Sequence, residues 1–472
     1  MGEERDWLFD ENDVMEVVRR YEDMMKKRKQ FFFDVHEFEE IINFYIDTNN
    51  FHKAVSAAEY AYRMYPSSTA IQLKIAHLLI DRGKAQESIS ILNKLEKIEG
   101  SNYEVFILKG TAFNMLGKVS EAQEHFDKAV SLTDENKHEV LYNIGVSFEQ
   151  QFRYETAIAY FKAAFELDKD NISILYDLGY CYDHAGKYEL SIEYYDKFLD
   201  EDPFSDNAWF NIGTVYNKLN QNQKAIQAYD FAIAINEYYG SAYYNKGNIL
   251  SNLERYDEAL LEYLEFTKLE EDHVMANCYI GECYEKLRRF DESLFYFQKA
   301  VTLDSECADA WFGKGIVKMH LEMYNDSAMY IQKALHLSID NTEYLYALGL
   351  VYMRTNDTKS GLETFKRLID IDPSDYEAWL NYSELFLLTD RIDEAISSLQ
   401  EAYDYHFDNA YINVRLASYV YLQGGMEQGN EYLDKALAID PECVEELYEF
   451  YPEAILNQSI KEIITKYFNQ KP

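Results

Sequence analysis

Glycine recurs along this chain at a fixed interval: Gly110, Gly145, Gly179, Gly213, Gly247, Gly281, Gly315 and Gly349 stand 34 residues apart, with one step of 35. A period of this length means a supersecondary unit repeated in tandem. Each copy buries its apolar face only against its neighbours. Extending the frame both ways gives twelve units from Val35 to Cys443, with the glycine at place eight.

Other places obey the same frame. Place twenty is small in every unit: Ala54, Ser88, Ala122, Ala157, Ser191, Ala225, Ala259, Ser293, Ser327, Gly361, Ala395 and Gly429. Place twenty-seven is Ala in eight of the twelve. Place twenty-four is mostly large, as in Phe126, Phe161, Tyr195, Tyr229, Tyr263, Phe297 and Phe365. Four of the six prolines, Pro66, Pro203, Pro373 and Pro441, share place thirty-two. This pattern predicts two antiparallel helices per unit. A small residue at place eight of the first helix admits the second. Small residues at twenty and twenty-seven lie on one face of that second helix, two turns apart. Proline stops it.

These residues resemble the tetratricopeptide repeat family, over 409 of 472 residues. The resemblance implies an all-α, right-handed superhelical solenoid of about twelve helix-turn-helix units. Residues 1–34 are then an N-terminal cap and 444–472 a C-terminal one. At the N-terminal end, Asp13 to Gln30 reads as an amphipathic helix, apolar at Val14, Val17, Val18, Tyr21, Met24 and Met25. Lys26 to Lys29 form a basic cluster, either a helix end that favours cations or a nuclear signal. Asp34 with Glu37, and Phe33 with Phe38, have capping-box and hydrophobic-staple spacing. After Pro441, two helices are expected, split by Pro452, with Ile455, Leu456, Ile460, Ile463, Ile464, Tyr467 and Phe468 sealing the last repeat.

Composition narrows the function. Acids outnumber bases 84 to 45, a net charge of −39. That opposes nucleic-acid binding and docking on anionic lipid. No apolar run reaches the roughly 18–20 residues of a membrane helix. Met1 to Asp10 lacks the apolar core of a signal peptide, so a cytoplasmic chain is expected. The five cysteines include no CxxC. Cys278 and Cys283 are half a turn off a common helix face, and no HExxH or phosphate-loop motif occurs. The expectation is no cofactor, no metal and no catalysis: a scaffold or adaptor for protein segments. The alternatives are a regulatory subunit of a separate enzyme and, less supported, an enzyme using groove carboxylates.

The resemblance implies a concave groove lined by the first helices at places two, five, nine, twelve and thirteen. Those places carry 13 acids, namely Glu39, Asp47, Asp81, Glu104, Glu139, Glu149, Asp183, Glu282, Glu285, Asp309, Glu343, Glu377 and Glu384, against three bases, Lys218, Lys286 and Arg354. Either the groove attracts a basic segment, or it samples an acidic protein at random. A clamp for acidic C-terminal peptides needs adjacent cations, and its candidates Lys74 and Arg415 lie ten repeats apart. In repeats four to seven, places five and six carry Tyr142, Asn143, Tyr176, Asp177, Phe210, Asn211, Tyr244 and Asn245. Amides can hold an extended peptide backbone, as in the asparagine ladder of long family members, but Tyr-Asn here is also family consensus. Repeats nine to twelve carry an apolar stripe instead: Phe312, Ile316, Met319, Tyr346, Leu350, Met353 and Leu380, continuing to Leu387, Leu388, Tyr411, Val414, Tyr421 and Leu422. Such a stripe takes a partner's apolar anchors or is covered by the C-terminal helices. The expected partner is a protein or peptide that is basic or carries apolar anchors.

Overall fold

The structure is a computed structural model that describes residues 6–27 and 31–468. Among the described residues there are 27 α-helices, two 3-10 turns and no strand. After a first helix, Asp6–Lys27, come twelve consecutive helix pairs, from Val35–Asp47 with Phe51–Met64 to Ala410–Leu422 with Met426–Ile439. The chain is an all-α repeat protein. It packs into two compact halves, one up to Glu237 and one from Tyr238 onward.

The helices pair as the small residues dictate. A Cβ built on Gly145 would lie 2.7 Å from the Phe161 ring, and one on Gly247 2.7 Å from Tyr263. The place-eight glycine is therefore the seat of the place-twenty-four ring, which closes the pair. Where place twenty is serine, its buried hydroxyl also bonds across the pair. Ser88 donates to the Ala76 carbonyl at 2.8 Å, Ser191 to Gly179 at 2.7 Å, Ser293 to Gly281 at 2.7 Å and Ser327 to Gly315 at 2.8 Å. Successive repeats are tied by an indole at place four. Trp209, Trp311 and Trp379 each donate to the place-thirty-two carbonyl of the repeat before, at 3.0, 3.0 and 3.1 Å.

The turn between the two helices has one recurring requirement. Place fifteen has positive φ in all twelve repeats: Gly83, Gly117, Gly186 and Gly424, but also Asn49, Phe152, Asn220, Glu254, Arg288, Glu322, Asn356 and Asp390. In repeat two the Gly83 and Lys84 amides bond back to Ile80 and Leu79, at 2.8 and 2.7 Å. This paired pattern ends a helix in the left-handed region.

At the N-terminal end the expected entry is present. Asp34 and Glu37 exchange both capping-box bonds at 2.9 Å, and the Phe33 and Phe38 rings pack 5.6 Å apart. Val18, Tyr21 and Met24 are buried against the first pair, whereas Met25 is exposed. The first helix starts seven residues earlier than expected, at Asp6 rather than Asp13. Arg28, Lys29 and Gln30 lie outside the described residues. At the C-terminal end, Val444–Phe450 is helical, and the stretch after Pro452 divides into a 3-10 turn, Pro452–Leu456, and a helix, Gln458–Phe468. Ile460 is buried, with Ile463, Ile464 and Tyr467 packed beside it. Ile455 and Leu456 face solvent instead, because they sit on the turn, and Phe468 is exposed.

Candidate functional site

In the N-terminal half, the first helices of repeats two to four, Thr69–Asp81, Tyr103–Met115 and Lys137–Glu149, line a cavity of about 350 Å³. Asn143, Lys74, Glu104 and Glu139 are on its wall. The remaining amide and phenol places are largely spent on joining repeats. Tyr142 donates its hydroxyl to the Asp177 carboxylate of the next repeat. Asn211 donates to the Tyr176 hydroxyl at 2.8 Å. The Phe210 ring instead packs within its own repeat, on Tyr229 at 5.6 Å.

Lost hydration pushes several carboxyls of this half up, Glu149 and Asp177 furthest. Burial, then the charge of Asp177, pushes Glu149 up to about 7, although the Cys181 thiol bonds to it. Burial pushes Asp177 to about 6, and its Oδ2 has no hydrogen-bond partner. Asp183 by contrast is neutralised by Lys218, which reaches both its oxygens at 2.7 Å.

In the C-terminal half, Tyr244 repeats the phenol arrangement with the Tyr279 hydroxyl, and Tyr346 accepts from Asn381 at 3.2 Å. Asn245 is half-buried in the same half. The first helices of repeats eight to ten, Val274–Lys286, Ala308–His320 and Thr342–Arg354, line a second cavity of about 380 Å³. Its floor is apolar, with Phe312 and Ile316 beside Phe297. Its rim holds the exposed acids Glu282, Asp309 and Glu343 and one cation, Lys286, while Glu285 lines it from a buried position. Glu285 is already paired, with Lys286 at 3.1 Å and His320 Nε2 at 2.7 Å. Tyr344 donates to Asp309 and stacks on Phe312 at 4.4 Å. Glu282 is an exposed residue, yet the cavity walls crowd it. Lost hydration first, then the charges of Asp309 and Glu343, push its carboxyl up to about 7.

The apolar stripe divides. Phe312 and Ile316 line the cavity. Met319, Tyr346, Leu350 and Met353 are half-buried against the core. Leu380 is 8% exposed, and Val414 and Tyr421 are buried, so these three belong to the core and not to a groove surface. Arg415 is likewise no clamp for a partner. Its guanidinium is buried, with Nε 2.7 Å from Glu446 and the Phe450 ring 3.4 Å away. Sequence reasoning missed Tyr344 and His320 as rim partners. Acids at place two of consecutive repeats, Asp309 and Glu343, were the available signal. Among the described residues no cluster of His, Cys, Asp and Glu is arranged to hold a metal, and no helix is long and apolar enough to cross a membrane.

Comparison with known proteins adds the following. A tetratricopeptide repeat model matches residues 107–172, 142–206, 244–305 and 346–410, and a second such model matches 194–227. Together they span more than half of the chain. The TPR repeat-containing protein YpiA of Bacillus subtilis is 25% identical over 122 residues, which cover 26% of this chain and 29% of YpiA. The chain thus spans under a third of that relative's length. The solved structure of MamA is 27% identical with a TM-score of 0.35, covering 37% of this chain and 96% of MamA. That of YrrB, described as a TPR protein with an unusual peptide-binding site, is 22% identical with a TM-score of 0.34, covering 39% of this chain and 96% of YrrB.

Proposed function

The chain belongs to the tetratricopeptide repeat family, and from that premise we propose that it is a non-catalytic scaffold holding a basic protein segment against repeats eight to ten. Repeats of this family generally serve as protein–protein interaction scaffolds. The observation that carries the reading is the cavity with an apolar floor, Phe312 and Ile316, under a rim of Glu282, Asp309 and Glu343. An aliphatic side chain fits the floor, and a neighbouring Lys or Arg meets the rim. The crowding that holds Glu282 near 7 is relieved by a partner's cation. The cytoplasm is the compartment this reading favours, on the support of five cysteines that are all unpaired. Residues 1–34 and 444–472 act in it as end caps.

Fluorescence anisotropy with a labelled peptide of alternating Lys and Leu tests it, beside Glu/Leu and Lys/Ser peptides. The Lys/Leu peptide is expected to bind, more weakly as salt rises. Glu282→Gln/Glu343→Gln and Phe312→Ala/Ile316→Ala should each weaken it about tenfold, as loss of one anchor region does. Equal binding of the Glu/Leu peptide, or unchanged affinity in both double variants, overturns the reading.

A further inference from the structure

We propose that Cys278 and Cys307 are a redox-active dithiol, which a hydroperoxide oxidises to a disulfide through attack by Cys307. The two residues are 29 positions apart in the chain, yet their Sγ atoms lie 3.8 Å apart. Closure to a disulfide needs roughly 2.05 Å, so oxidation brings the sulfurs closer than they stand in the thiol pair. Cys278 is on the helix Val274–Lys286 and is fully buried. Cys307 is half-buried and caps the N-terminus of the helix Ala308–His320. The reachable sulfur is thus Cys307, and the sheltered one beside it can only react second.

The local electrostatics agree with that order. The Cys278 and Cys307 sulfurs stand within hydrogen-bond distance of each other. The neighbouring Cys278 sulfur holds the Cys307 thiol below its ordinary value, against burial and the Asp309 and Asp304 carboxylates. The Cys278 thiol is pushed up. A thiolate at a helix N-terminus is the reactive form of cysteine. The other three cysteines differ. Cys181, Cys283 and Cys443 are buried and their thiols are pushed up.

The chemistry balances. The Cys307 thiolate attacks the terminal oxygen of the hydroperoxide, the O–O bond breaks, and the alcohol leaves with a proton from solvent. Cys307 is then a sulfenic acid. Cys278 attacks its sulfur, the S–S bond forms, and the displaced hydroxide leaves as water with the Cys278 proton. Two thiols are oxidised, and one hydroperoxide is reduced to an alcohol and water. The bond would fasten the first helix of repeat eight to the start of that of repeat nine, two residues before Asp309 on the cavity rim.

The test is peptide mapping by mass spectrometry of the full chain, alkylated before and after one equivalent of hydrogen peroxide, without reductant. Wild type should lose two alkylatable thiols and yield a Cys278–Cys307 linked peptide, reversed by dithiothreitol. Cys278→Ser should leave a Cys307 sulfenic acid that dimedone traps. Cys307→Ser should slow peroxide consumption at least tenfold. Oxidation of wild type to a Cys307 sulfinic acid without the link, no thiol loss at all, or unchanged consumption by Cys307→Ser overturns the proposal. The wild-type map decides the matter even if a variant folds poorly.

Discussion

The turn between the helices of each repeat allows a test in which one backbone angle acts with opposite signs in neighbouring repeats. Phe152 in repeat four has φ +59, and Gly186 in the same turn of repeat five has φ +73. The left-handed region costs an L-residue roughly 1–2 kcal/mol. Glycine returns roughly 0.5–1 kcal/mol of that through the greater freedom it loses on folding. The net is about 0.5–1 kcal/mol in favour of glycine. Little else changes at Phe152, whose side chain is 78% exposed and meets only the edge of Tyr154, 6.4 Å between centroids. Phe152→Gly should therefore stabilise the N-terminal half by about 0.5–1 kcal/mol. Gly186→Ala should destabilise it by a similar amount, with no clash to confuse the result, since nothing lies within 4 Å of the added Cβ. Phe152→Ala separates side chain from backbone, because it removes the ring and keeps the strain. Urea unfolding followed by circular dichroism gives the sum. Amide exchange in the helix Lys137–Glu149 reads the turn locally. If Phe152→Gly lowers the midpoint, or Phe152→Ala raises it equally, the backbone angle is not the source.

Three further outcomes follow from the packing and the charges. Gly247→Ala puts a Cβ 2.7 Å from the Tyr263 ring, which is itself buried, and should cost about 1–3 kcal/mol in denaturant unfolding of the C-terminal half. Arg415→Met leaves Glu446 without the guanidinium now 2.7 Å from it and should cost about 3–5 kcal/mol, with exchange first accelerated in the helix Val444–Phe450. A neutral result there would mean that Phe450 and the helix hold without the ion pair. Glu149 binds its proton more tightly folded, at about 7, than unfolded at 4.5, so its share of stability is fully present below 4.5 and declines as pH rises to 7. Asp177, at about 6, acts in the same sense. Urea midpoints of Glu149→Gln should accordingly fall less steeply than those of wild type across that range, and parallel curves would remove Glu149 from the account.

The repeat frame was legible because it rests on contacts that each repeat makes with itself. A glycine at place eight and a ring at place twenty-four meet within one helix pair, so the chain states both partners at a fixed spacing. The left-handed turn was legible only in part. Eight repeats put Gly, Asn or Asp at place fifteen, but Phe152, Glu254, Arg288 and Glu322 adopt the same φ because packing of the two helices imposes it. What escaped was pairing between repeats. Asn211 bonding Tyr176, and Cys278 beside Cys307, depend on how one repeat sits on the next, and neither residue type announces it.

The candidate site shows where a place number stops deciding exposure. Places five and twelve were assigned to a groove throughout, and the structure divides them by what the side chain can do at the surface. Tyr346 at place five is half-buried because its hydroxyl donates to Glu377 at 2.9 Å, which keeps the ring tip at the edge of the core. Leu380, at place five of the next repeat, has no polar tip to hold out and sinks to 8% exposure. Tyr421 at place twelve has a hydroxyl but is buried all the same, since Asn430 on the neighbouring helix accepts it at 2.9 Å. A hydroxyl therefore keeps a groove place open only when its partner stands on the surface. The same division runs along the C-terminal half: the carboxylates Glu282, Asp309 and Glu343 stand exposed beside half-buried Phe312 and Ile316, and further on Leu388, Tyr411 and Leu422 are exposed while Val414 and Tyr421 are buried.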